Sequence, residues 1–101
     1  MILPNGTTVA VADGETIRLF HNTGVKPGVH LVEITAAPPA FLNKLSLDGT
    51  IEHLVLVSDP RTLGEMRKHF HRDLRGKIIG ELAKDFSRRP LEDIASLIAD
   101  A

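Results

Sequence analysis

Cysteine is absent from this 101-residue chain, which rules out disulfides, thiolate metal sites and cysteine nucleophiles and fits a reducing compartment. Tryptophan and tyrosine are absent as well, leaving four phenylalanines as its aromatic residues. Stacking platforms for single-stranded nucleic acid are therefore scarce. No window approaches the roughly 18 consecutive apolar residues of a membrane span. The opening Met1-Ile2-Leu3-Pro4-Asn5-Gly6 lacks the basic region and apolar run of a signal peptide. The expectation is a soluble, cytoplasmic protein with no membrane partner. What is present is ordinary for a globular domain, 43% hydrophobic and 25% charged residues. The length suits one core and is too short for two, so residues 1–101 are expected to form a single domain.

The net charge of -1 conceals an asymmetry. Between Arg61 and Arg89 there are nine Lys or Arg against Glu65, Asp73, Glu81 and Asp85, a local excess of five positive charges. Such a stretch either faces phosphates or forms a solvated helix face of mixed charge.

Hydrophobic patterning and turn residues order the chain. Thr7 to Ala12 and Glu15 to His21 read as strands joined by Asp13-Gly14, a hairpin signal. After Asn22-Thr23-Gly24 and Lys26-Pro27-Gly28, the run Val29 to Ala36 reads as a third strand of an antiparallel meander. Pro38-Pro39 breaks it, and Ala40 to Leu47 suits a short helix burying Phe41, Leu42 and Leu45 and stopped by Asp48-Gly49. Glu52 to Val57 has an apolar run without alternation, the pattern of a central parallel strand covered on both faces. Asp59 as N-cap and Pro60 at the first helical position start a second helix with a stripe of Leu63, Met66 and Phe70. Lys77 to Phe86 is read as a strand despite some helical spacing, because Gly76 and Gly80 disfavour a helix and Ile78-Ile79 favours a strand. Pro90 opens a last helix whose apolar face is Leu91, Ile94, Ala95 and Ile98. The order β-β-β-α-β-α-β-α is that of a ribonuclease H-like α/β fold, a mixed sheet with helices packed on its faces.

The segment Leu54-Val55-Leu56-Val57-Ser58-Asp59-Pro60-Arg61-Thr62-Leu63-Gly64-Glu65-Met66-Arg67 resembles the signature of the bacterial host attachment protein family. Further similar segments are Lys77-Ile78-Ile79-Gly80-Glu81-Leu82-Ala83-Lys84-Asp85-Phe86, Pro90-Leu91-Glu92-Asp93-Ile94, Leu3-Pro4-Asn5-Gly6-Thr7 and Val11-Ala12-Asp13-Gly14. The chain looks like a shortened member: relatives carry a longer charged stretch between the third strand and first helix, where Ala36-Ala37-Pro38-Pro39-Ala40 stands here. The family is similar at fold level to the middle domain of archaeal and eukaryotic peptide release factors. That resemblance implies a translation-associated ancestry. The Gly-Gly-Gln tripeptide that carries release chemistry in those factors is absent from this sequence, so that reaction is not expected.

Three kinds of site remain. Arg61, Arg67, Lys68, Arg72, Arg75, Arg88 and Arg89 are candidates for a basic rim at one end of the sheet that binds RNA or the ribosome through phosphates. The bland alternative is a helix surface neutralised by Glu65, Asp73 and Asp85. Asp13 and Asp59, at the ends of the first and fourth strands, are weak candidates for a two-metal nuclease site, with Asp85 or Asp93 as further ligands. The first helix offers no acidic ligand, while Asp13 suits a turn and Asp59 a cap. His69-Phe70-His71, read as helical, would place its two imidazoles on different faces, and His21, His30 and His53 read as filling residues of strands. No serine has a nucleophile-elbow context. The expectation is a non-catalytic module without a cofactor, associated with RNA or the ribosome. The alternative is a protein-interaction or homodimer module using a sheet edge or an apolar patch.

Overall fold

A computed structural model describes residues 3–4, 6–13, 17–22, 31–37, 41–47 and 49–101. The elements run β1 (Thr8–Ala12), β2 (Ile17–Asn22), β3 (Leu31–Ala37), α1 (Phe41–Leu47), β4 (Leu54–Ser58), α2 (Pro60–His69), α3 (Arg72–Arg75), β5 (Ile78–Ala83) and α4 (Leu91–Asp100). One mixed sheet holds five strands in the order β3-β2-β1-β4-β5. The expected meander is there, with β1–β2 and β2–β3 antiparallel, and β1–β4 and β4–β5 are parallel. Gly14 of the first turn, the loop containing His30, and Pro38-Pro39 with Ala40 lie outside the described residues.

Side-chain alternation along the strands sorts the core onto two faces. Ala10, Ile17, Leu19, Leu54 and Leu56 pack with Leu42 of α1, Leu63 and Met66 of α2 and Leu74 of α3. Val9, Val11, Phe20, Val55 and Val57 pack on the other face with Ile94 and Ile98 of α4. Helices thus cover both faces, which is why β1 and β4 are buried at every position and β4 carries no polar alternation.

Three expectations need correction. The middle strand is β1, and β4 lies between β1 and β5; a run buried on both faces marks coverage by helices, not rank within the sheet. The last strand is Ile78–Ala83, shorter than residues 77–86. The second helix ends at His69, and a separate short helix α3 follows. Phe70 is extended (φ -80°, ψ 131°) yet 4% exposed, so it reaches the core from outside the helix. Asn43 of α1 holds this break: its amide donates to the His69 carbonyl at 3.0 Å and its oxygen accepts from His71 N–H at 2.9 Å. Those backbone groups are satisfied without a continuing helix. At the end of α1, Gly49 has φ 83°, a left-handed conformation that glycine adopts freely, and its N–H donates to the Ser46 carbonyl.

Candidate nucleic-acid interface

Helix α2 starts where β4 ends, with Pro60 in its first turn and Asp59 as its N-cap. The Asp59 carboxylate accepts from Thr62 N–H at 2.9 Å and from the Thr62 hydroxyl at 2.7 Å. These bonds, the hydroxyl's first, hold the Asp59 carboxyl below its ordinary value. At the other end of the sheet Asp73 is also lowered, first by the Ser46 hydroxyl at 2.5 Å and then by Lys77. A carboxyl with a depressed folded-state pKa contributes stability that is present above its unfolded pKa and lost as pH falls through the folded value. Stability should therefore be level at neutral pH and decline below about pH 4. Asp59→Asn keeps a capping side chain but removes one titrating group, and its acid decline should be shallower in denaturant titrations across that range. An identical decline in the variant would remove Asp59 from the acid response.

Asp13 and Asp59 do follow adjacent parallel strands, since Val11 pairs with Val57, and the Ser58 hydroxyl donates to the Ala12 carbonyl at 2.9 Å. The other proposed ligands do not join them. Asp85 accepts from the Ser87 hydroxyl at 3.0 Å, and Asp93 pairs with Arg89 at 3.4 Å. Among the described residues, no three His, Cys, Asp or Glu side chains are grouped to hold a metal ion. Both Asp59 oxygens are engaged by Thr62, the capping role read from the sequence.

The basic residues divide between two ends of the sheet, which corrects the single rim. Arg61 lies in the first turn of α2, and Arg88 and Arg89 follow β5, whose Ala83 pairs with Ser58 at the end of β4. Arg67 and Lys68 lie in the last turn of α2, while Arg72 and Arg75 belong to α3 just before β5 begins opposite Leu54. On α2, Arg61 and Arg67 lie roughly 9 Å apart along the helix axis. At the first end, Arg18 of β2 donates to the carbonyls of Arg89 (2.7 Å) and Ser87 (3.3 Å), tying down the loop that carries Arg88 and Arg89. The sequence reading missed Arg18, whose only signal was a cation inside an apolar strand.

At the second end, α2, α3 and β5 enclose an open groove of about 570 Å³ lined by Arg67, Lys68, Phe70, Arg75, Ile78 and Glu81. Arg67 pairs with both carboxylate oxygens of Glu81 through its Nε, at 3.3 Å, and its Nη2. Glu81 raises the Arg67 pKa by hydrogen bonding and by charge. Arg75 donates to the Arg67 carbonyl at 3.1 Å, and Lys68 pairs with Glu65 at 3.2 Å.

These contacts decide how far the acids neutralise the stretch. Glu81 meets Arg67, Glu65 meets Lys68, Asp73 meets Lys77 and Asp93 meets Arg89. Arg61, Arg72, Lys84 and Arg88 are exposed and make no ion pair among the described residues. Among the described residues, cations without an acidic partner thus remain at both ends.

The sequence of residues 34–98 matches the model of bacterial archaeo-eukaryotic release factor family 12. The chain belongs to this family. The match runs from within β3 to α4 and includes every basic candidate residue. It supports the release-factor-like relationship expected from the sequence, at that level and not at the level of a host attachment protein. The fold of this chain is similar to that of a solved chain described as an archaeal protein, with a TM-score of 0.57 at 10% identity over 96% of this chain. This chain spans 34% of that one's length. No curated protein matches significantly. No helix among the described residues is long and apolar enough to cross a membrane.

Proposed function

We propose that this domain is a non-catalytic RNA- or ribosome-contacting module of the translation apparatus, held to its partner through phosphates. The carrying observation is the set of exposed cations, Arg61, Arg72, Lys84 and Arg88, that no acid among the described residues neutralises. Arginine forks suit phosphate oxygens, and fixed positive charge releases counterions from RNA. Membership of a release-factor-like family supports a setting in translation. The chain contains no glutamine, so it holds no Gly-Gly-Gln tripeptide for release chemistry. Host attachment is the finer family reading, resting on the strand-turn-helix segment from Leu54 to Arg67.

The ribonuclease H-like reading of the fold is supported by the antiparallel start, the strand order and the parallel trio β1, β4 and β5. Among the described residues no three His, Cys, Asp or Glu side chains are grouped to hold a metal ion, which favours the non-catalytic reading over a two-metal nuclease. The interaction-module reading rests on Ile79, 43% exposed on the edge strand β5. A titration of RNA with the purified chain separates these readings. Salt-sensitive binding of intact RNA supports the proposal, Mg²⁺-dependent cleavage lost in Asp13→Asn supports a nuclease, and dimerisation without RNA binding supports the interaction module.

A further inference from the structure

We propose that the groove between α2, α3 and β5 is a nucleotide pocket, which takes one unstacked nucleotide of a single-stranded RNA segment. The inference rests on the RNA-contacting reading and assigns a specific site to it. The volume, about 570 Å³, lies within the roughly 300–1,000 Å³ of small-ligand pockets. It is too small for a duplex and larger than a phosphate needs. Its chemistry is divided in the way a nucleotide is divided. Phe70 and Ile78 give an apolar floor, Arg67, Lys68 and Arg75 give a cationic rim, and Glu81 gives an acceptor.

A base would lie on the apolar floor, and its phosphate would meet the rim. Aromatic rings are few in this chain, but Arg guanidinium planes also stack on bases. Arg67 is fixed for that use: Glu81 holds its guanidinium from β5, and Arg75 holds its carbonyl. Glu81 retains acceptor capacity for an exocyclic amino group, because each carboxylate oxygen accepts more than one hydrogen bond. Lys68 is 70% exposed and engaged in an exposed pair with Glu65, an interaction weak enough to yield to a phosphate.

The test uses the whole chain and three probes, AMP, adenosine and inorganic phosphate, followed by backbone amide shifts. AMP should bind roughly tenfold more tightly than either fragment, because it alone meets floor and rim together. Its shifts should centre on residues 67–81. Arg75→Glu, an exposed substitution whose thermal midpoint is measured alongside, should weaken AMP by a similar factor of about ten. Phosphate binding as tightly as AMP would overturn the pocket, because the groove would then read charge alone. Shifts centred on residues 84–93, or AMP binding unchanged in Arg75→Glu, would also overturn it. Absence of AMP binding with RNA binding retained would remove the pocket and leave the RNA reading standing. Absence of both would remove both.

Discussion

Replacing Phe20 with alanine is expected to lower the stability of the domain by about 3–5 kcal/mol. The side chain is fully buried, pairs on β2 with Val9 of β1, and packs in the cluster that contains Ile94 and Ile98 of α4. Its ring also lies 5.0 Å from the Arg18 guanidinium. Truncation removes apolar burial and leaves a cavity that neighbours on a rigid sheet fill only in part. In a domain of this size each kcal/mol lowers Tm by about 4–8 °C, so the midpoint should fall by at least about 12 °C. Total stabilities are typically about 5–15 kcal/mol, so the variant would stand near the limit of folding. Leu47→Ala provides the internal comparison: Leu47 is 66% exposed, and its loss should change stability by less than about 0.5 kcal/mol. Circular dichroism melts of both variants check this. Equal shifts in the two would mean that α4 does not close a core over Phe20.

The second large effect is on binding. The triple variant Arg61→Glu, Arg72→Glu, Arg88→Glu should lose RNA affinity at low salt by at least about a hundredfold, taking on the order of tenfold for each charge-assisted contact removed. These three side chains make no ion pair among the described residues, so their reversal breaks no internal contact seen there. The thermal midpoint should therefore move little, which separates lost binding from lost folding. The residues lie at both ends of α2, so a partner that uses them all must extend along the helix. Reverting one end at a time should restore affinity in part from either side. Full recovery from one end alone would confine the interface to that end.

Much of the fold is legible in the sequence because it follows from local chemistry. Asp59-Pro60 starts α2 through a cap and a pre-set φ, and the spacing of Leu91, Ile94, Ala95 and Ile98 yields α4. The apolar run of β4 signals two covered faces. What fails is long-range in origin. The break at Phe70 depends on Asn43, 27 residues before it in the sequence, and no local signal at Phe70 marks it. The middle place of β1 depends on strand pairing, which hydrophobicity alone does not rank.

The site follows the same division. That residues 61–89 carry excess positive charge is plain from composition. That the charge divides between two ends of the sheet comes from α2 running back along it. Which cations are neutralised is likewise tertiary: Glu81 meets Arg67 from another element, fourteen residues away, whereas Glu65 and Lys68 are a helical i,i+3 pair readable in advance. Phe70 reads as core in the sequence and is core, yet the chain break also brings it to the wall of a groove.

The most direct measurement is the affinity of the purified chain for single-stranded and structured RNA across a salt series with Mg²⁺ present, followed by a check of RNA length. Log affinity should fall linearly with log salt, with a slope of about -2 to -4 for three or four phosphate contacts, and the RNA should remain intact. Absence of binding at the lowest salt, or a slope near zero, would contradict phosphate recognition by these cations, and cleaved RNA would contradict the non-catalytic assignment.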